Sequence, residues 1–299
     1  MSSSSRVPIL AVVGATASGK SDLALDLAEQ LGAEIVNTDS MQLYRGMDIG
    51  TAKLPVSERR GITHHLLDVL EVTEPATVAQ FQGWARAIVD DCVGRGVPTV
   101  LVGGSALYTR AILDEFEFPG TDPAIRARLE AELESAGSGA LHQRLQVLDP
   151  AAAAGIVPAN GRRVVRALEV IELTGGPYVA SLPGLTYHYP QAEQIGVDID
   201  RATLDERIAQ RVDVMWDAGF VDEVRGLEKL GLREGRTASK ALGYQQVLAF
   251  LDGDLTEPEA HERTIARTRR FARRQDGWFR KDPRVHWVPS GSGYSLPVR

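Results

Sequence analysis

The stretch VPILAVVGATASGKSDLALDLAEQLG, residues 7–32, decides the fold. Its first seven residues are an apolar run rich in Val and Ile, the composition of a strand buried on both faces. In SDLALDLAEQLG, Leu23, Leu27 and Leu31 recur at helical spacing and Gly32 marks a C-terminal stop. Between strand and helix, Gly14, Ala15, Thr16, Ala17, Ser18, Gly19, Lys20 and Ser21 fit the pattern G-x-x-x-x-G-K-[ST]. In this strand–turn–helix context the pattern is a P-loop. Gly14 and Gly19 permit backbone angles that aim successive N–H groups at one point, and the helix N-terminus adds about half a positive charge. Lys20 supplies a full charge, and the Ser21 hydroxyl suits Mg²⁺. Such a loop holds a di- or triphosphate; it specifies neither which one nor the reaction.

Outward from the loop, AEIVN (33–37) reads as a second strand and PTVLV (98–102) as a third, with a helix over 77–93 between them. Strands alternating with helices imply a parallel α/β sheet. From about Glu115 to Pro190 the pattern changes to helices with polar joints. QIGVDID (194–200) reads as a returning strand, and the remainder as helical, ending in a long helix over 257–280. The expected organisation is a P-loop NTPase-like parallel core (1–114), a mostly helical insertion domain (115–190), and a return to the core with C-terminal helices (191–299).

The 299 residues are 43% hydrophobic and 24% charged, which excludes collagen, coiled coil and disorder as whole-chain descriptions. Cys92 is the only cysteine, so no internal disulfide framework and no multi-cysteine metal site exists. The six histidines show no ligand spacing. The opening MSSSSRVP lacks the apolar core of a signal peptide and no apolar run of about 18 residues appears, so a cytoplasmic, membrane-free protein is expected.

Asp39 follows the second strand, at the carboxyl end of the sheet where ligands bind in open α/β folds. A carboxylate there accepts a proton, holds a Mg²⁺-bound water or caps a turn, and the spacing alone leaves these open. The third strand runs into Gly103-Gly104-Ser105 without the acid of a Walker B strand, and no kinase signature such as HRD or DFG is present.

GATASGKS (14–21), TDSMQLYRGMDIGTAK (38–53), LVGGSALY (101–108) and SKALGYQQ (239–246), in this order, resemble the bacterial tRNA dimethylallyltransferases, or tRNA isopentenyltransferases. The likeness runs from about Ile9 to Trp287. It implies transfer of a dimethylallyl group from dimethylallyl diphosphate to N6 of the adenosine at position 37 of tRNA, beside the anticodon, with Mg²⁺ as cofactor. Residues 14–21 would then hold pyrophosphate as a leaving group, which accounts for the missing Walker B acid. By the same resemblance Asp39 is the general base; the candidate Mg²⁺ ligands remain Ser21, from the P-loop pattern, and Asp39, from its place at the sheet edge. Thr16 faces the reacting centre, and Lys20 and Lys240 are cations on the diphosphate. Lys240 stands where the family often has Arg, and Ser105 where it usually has Thr. Gln245 falls where Lys or Arg is frequent and receives no role. Asp39, Ser40, Met41, Gln42, Ser105, Arg126, Gly161, Arg162, Arg163, Val164 and Val165 match tRNA contacts. A base within the anticodon loop must leave its stack to reach such a site. The enzyme is expected to act as a monomer on the tRNA anticodon stem-loop.

The net charge of −7 argues against a polyanionic partner until it is divided along the chain. Residues 261–299 carry 10 basic and 3 acidic side chains, whereas the rest stands at −14. In the last helix Arg263, Arg267, Arg270 and Arg274 share one face. Such a stripe either follows a phosphate backbone, which makes Arg270 and Arg274 tRNA contacts, or is a solvated face paired to acids. Arg162, Arg163 and Arg166 form a second cluster. Three other readings are a P-loop kinase for a small acceptor, an isopentenyltransferase acting on free adenine nucleotides, and an RNA-binding NTPase module.

Overall fold

The computed structural model describes residues 7–178 and 184–294. The chain divides into two compact units, one of Met1–Asp114 with Leu185–Arg299 and one of Glu115–Gly184.

The larger unit is an α/β layer structure around a six-stranded parallel sheet. Its strands are β1 (Ile9–Val13), β2 (Glu34–Asn37), β3 (His64–His65), β4 (Thr99–Gly103), β5 (Ala192–Asp198) and β6 (Val285–Pro289), in the order β3-β2-β4-β1-β5-β6. β1 lies between β4 and β5, with Val13 level with both Gly103 and Gly196. The loops after β1, β2 and β4 therefore open on one edge. All five residues of β1 are buried, as its unbroken apolar run requires. Helix α1 (Lys20–Leu31) covers one face, with Leu23, Leu25 and Leu27 among Leu10, Val12, Ile35 and Val100. Helices α2 (Val78–Arg95) and α3 (Ala106–Leu113) cover the other, where Phe81, Ala85, Val89 and Ile112 meet Ala11, Val13, Val36 and Leu101.

The smaller unit consists of α4 (Pro123–Leu148), α5 (Pro150–Ala154) and α6 (Gly161–Thr174). α4 is broken at Gly137, where φ is 79°, so the two helices read from the sequence here abut across a kink. Returning to the larger unit, α7 (Arg201–Asp217), α8 (Phe220–Glu228), α9 (Tyr244–Leu251) and α10 (Glu257–Phe279) follow β5. α10 packs against α7 and α9. Its start carries a capping box of Thr256 and Glu259.

Several expectations need correction. The insertion ends at Gly184 rather than Pro190, because the Tyr189 hydroxyl donates to Asp90 on α2 and Tyr187 bridges Asp114. β3 and β6 were absent from the sequence reading. β3 has only two residues, and β6 is a polar-interrupted edge strand, V-H-W-V-P, with no apolar run to announce it.

Glu169 is fully buried in the smaller unit. It accepts hydrogen bonds from Thr121 Oγ1 (2.6 Å), Arg126 Nε (3.1 Å) and Arg166 (2.7 Å). Burial pushes its carboxyl up, and the donors Arg126, Thr121 and Arg166 outweigh this and hold it at about 2. A depressed carboxyl contributes stability above its unfolded value, and that contribution is lost as pH falls toward about 2. Glu169→Gln leaves two guanidinium groups facing a neutral amide and should destabilise the unit by about 3–5 kcal/mol. Chemical denaturation at neutral pH measures this, and a loss below about 1 kcal/mol would show that the arginines find other partners.

Candidate active site

The P-loop follows from three left-handed backbone positions. φ is 148° at Gly14, 64° at Ala17 and 93° at Gly19. A Cβ on Gly14 would sit 3.3 Å from the Val197 carbonyl oxygen of β5, so glycine is required for approach as well as for angle. Ala17 carries no sequence signal for this conformation. Lys20 opens α1 and folds its ammonium back to donate to the Ala15 carbonyl at 3.1 Å. Outside the loop, Ser290 Oγ donates to the Ser18 carbonyl (2.8 Å) and accepts from Arg207 (2.9 Å). The Ser18 hydroxyl is buried and has no hydrogen-bond partner among the described residues.

β2 delivers Asn37, which is buried and builds the turn that follows. Its side chain accepts from Asp39 N–H (2.8 Å) and donates to the carbonyls of Asp39 and Leu66 (both 2.9 Å). Asp39 accepts from the Met41 N–H at 2.9 Å, so it caps a turn while its carboxylate faces the cavity. The turn-cap reading of Asp39 therefore holds, and capping does not take the residue away from the cavity. Burial pushes its carboxyl above the ordinary range, opposed by the Met41 N–H, Lys20 and the Gln42 N–H. Burial, and then the neighbouring Arg211, bring the Lys20 ammonium down from 10.5 to about 8, against the pull of Asp39.

A cavity of about 510 Å³ opens beside these groups, lined by Thr16, Asp39, Ser40, Met41, Ser105 and Lys240. Arg267, Arg270 and Arg274 of α10 line it as well. A smaller space of about 190 Å³ adjoins Lys20, Ser21, Asn37 and Gln42. Ser105 precedes α3 without capping it by a side-chain hydrogen bond. No ion pair holds Arg267, Arg270 or Arg274 among the described residues, so pairing to acids does not account for these three. Arg267 donates instead to Gln245 Oε1 at 3.2 Å, and Gln245 donates to the Lys240 carbonyl at 3.0 Å.

Arg211 on α7 lines both spaces and was missed by the sequence reading. It makes no hydrogen bond or ion pair among the described residues, and its pKa is lowered by burial. One arginine in an ordinary amphipathic helix gives no signal of its position. Gln275 on α10 was missed for the same reason. It accepts from the Thr16 N–H at 2.8 Å and donates to the Gly104 carbonyl at 2.9 Å.

The smaller unit revises other assignments. Val164 and Val165 are 0% and 3% exposed in its core, with Leu129, Leu141 and Leu168, so their side chains cannot reach a nucleic acid. Arg126 and Arg166 are committed to Glu169. Arg162 and Arg163 are exposed, and Gly161 opens α6 at the place where a Cβ would meet Leu133 at 2.7 Å.

For magnesium, the Ser21 hydroxyl is exposed on the first turn of α1, and Ser21 and Asp39 are both hard oxygen donors. That donor set fits an ion that keeps several waters and is shared with phosphate oxygens.

Residues 42–282 match the family model of the IPP transferases. A tRNA dimethylallyltransferase of Nocardioides sp. is 66% identical over 95% of this chain and 91% of its own length. One from Thermobifida fusca is 64% identical over 94% of this chain and 89% of its own. Among solved structures, the tRNA isopentenylpyrophosphate transferase of Bacillus halodurans is 40% identical, with a TM-score of 0.69 over 95% of this chain and 90% of that one. A eukaryotic dimethylallyltransferase captured acting on tRNA is 25% identical, with a TM-score of 0.83 over 95% of this chain and 74% of its own. With a P-loop in this topology and relatives this similar along nearly its whole length, the chain belongs to the IPP transferase family.

Proposed function

We propose that this protein transfers a dimethylallyl group from dimethylallyl diphosphate to N6 of the adenosine at position 37 of tRNA, on the 3′ side of the anticodon. The observation that carries the reading is a single cavity in which the P-loop residue Thr16, the Asp39 carboxylate, the Ser105 hydroxyl and three unpaired arginines of α10 converge. The relatives' names supply the donor and the acceptor.

In this reading the P-loop N–H groups, Lys20 and Arg211 hold the diphosphate and stabilise charge as it builds on the leaving oxygen. The absence of an acid at the end of β4 suits this chemistry, since no water has to be aimed at a γ-phosphate. Lys240, exposed at the rim, adds a cation that lacks the bidentate fork of arginine. Ser21 and Asp39 are the residues that would hold magnesium, which supplies further charge neutralisation on the diphosphate. An exocyclic adenine amine is a weak nucleophile, so Asp39 orients it and accepts its proton. The raised carboxyl pKa makes Asp39 a stronger base than a solvated aspartate. Ser40, Met41 and Gln42 stand beside the flipped base, and Arg270 and Arg274 meet the backbone of the anticodon stem-loop. Arg162 and Arg163 are the cations of the smaller unit left for the same partner. The protein works as a cytoplasmic monomer.

Incubation with labelled dimethylallyl diphosphate, magnesium and either unmodified tRNA or AMP tests the reading. Label in tRNA is expected. Label only in AMP, or phosphoryl transfer from ATP with none in tRNA, contradicts it.

Asp39→Ala should lower turnover by roughly 10²–10⁴-fold with little change in tRNA affinity. On the alkaline side, Lys20 carries its charge only below about 8, so pyrophosphate affinity should fall as pH rises through that value. Single-turnover kinetics reads the first effect and titration calorimetry the second, and affinity that is flat across that pH would remove Lys20 from the anion site.

Arg270→Ala combined with Arg274→Ala should weaken tRNA binding and flatten its dependence on log salt by about 0.7 per lost phosphate contact. An unaltered slope would mean that the stripe faces only solvent.

A further inference from the structure

α10 has two faces with different partners. Arg267, Arg270 and Arg274 look into the cavity, and Gln275, one residue beyond the last of these, is turned inward and only 6% exposed. Its amide spans two loops at the carboxyl edge of the sheet. Oε1 accepts from the Thr16 N–H of the P-loop at 2.8 Å, and Nε2 donates to the Gly104 carbonyl after β4 at 2.9 Å. A Cβ on Gly104 would lie 2.2 Å from Nε2, so the second glycine of Gly103-Gly104 makes room for this side chain. Thr16 and Ser105 flank the two bonded backbone groups, and both line the cavity with Asp39.

We propose that Gln275 is a positioning residue for the transfer reaction. Its single amide fixes the P-loop wall at Thr16 relative to the loop that carries Ser105, so that the hydroxyls of both residues stand at a set separation from Asp39. This rests on the proposed function for its substrate, though not for its geometry. The amide suits the task because it accepts at one end and donates at the other from two separate atoms without carrying charge. A carboxylate would place an anion beside a site built for a diphosphate, and a cation would lack the acceptor. The bond to Gln275 also keeps the Thr16 N–H out of the anion-binding set, leaving that set to the turn around Gly19 and Lys20. Without the clamp both loops remain folded, since β1 and β4 are paired along their whole lengths. What is lost is their mutual setting, and misplacement of reacting groups by about 1 Å costs on the order of 100-fold in rate.

Gln275→Met keeps the length and removes both hydrogen bonds. The expected result is a fall of roughly 10–100-fold in kcat with tRNA affinity unchanged, because Arg267, Arg270 and Arg274 are untouched. Gly104→Ala should give the same signature by displacing the amide, and it serves if the methionine variant fails to fold. In the double variant the second change should add little, since each removes the same clamp. A kcat within about twofold of wild type for both single variants, tRNA affinity that falls in parallel with kcat, or fully additive losses in the double variant would each overturn the proposal. Wild-type transfer to tRNA is measured in the same series. If wild-type protein transfers nothing, the functional reading fails, and the clamp is then tested by pyrophosphate affinity: weakened binding in Gln275→Met upholds it and unchanged binding refutes it.

Discussion

The whole site hangs on a backbone turn. Between β1 and α1 the chain must reverse within a few residues, and left-handed angles at Gly14, Ala17 and Gly19 accomplish this. Because β1 is the strand flanked by β4 and β5, the turn lies at the middle of the sheet edge. The loop after β2 brings Asp39 to the same edge, and the loop after β4 brings Ser105. Parallel topology thus assembles the site before any side chain contributes, since every strand ends on the same side.

The electrostatics follow from that crowding. Lys20, Arg211 and Asp39 are brought close together, each half-buried. Burial works against every charge there, moving Asp39 upward and bringing Lys20 down to about 8. Arg211 disfavours the charge on Lys20, with Asp39 supporting that charge and Asp22 supporting the one on Arg211, and a diphosphate would add compensating negative charge. α10 extends the positive charge outward with arginines that form no ion pairs among the described residues. The −7 of the whole chain conceals this, because the acidic residues lie elsewhere.

Much of this was legible in the sequence, for reasons that differ by element. β1, α1 and the P-loop were readable because apolar run, glycine positions and helical spacing agree locally. Asp39 was readable at the sheet edge because it closely follows β2, whereas the parts given to Thr16 and Ser105 came from the resemblance. Arg211 and Gln275 were not readable, because their value comes from tertiary placement and neither breaks the pattern of its helix. β3 and β6 escaped because edge strands need no continuous apolar run. The assignments by resemblance fared unevenly. Arg126 looked like an available cation until the buried Glu169 appeared beside it, and Val164 and Val165 fell on the core side of α6. A motif match fixes which residue stands at a position, whereas packing decides which face it presents.

The central claim is that the P-loop stabilises pyrophosphate as a leaving group instead of handling a γ-phosphate. Analysis of the phosphorus product during turnover with dimethylallyl diphosphate and unmodified tRNA tests it most directly. The account requires one inorganic pyrophosphate released for each dimethylallyl group found on adenosine in the tRNA. Orthophosphate as the product, or pyrophosphate released without a modified adenosine, would contradict it.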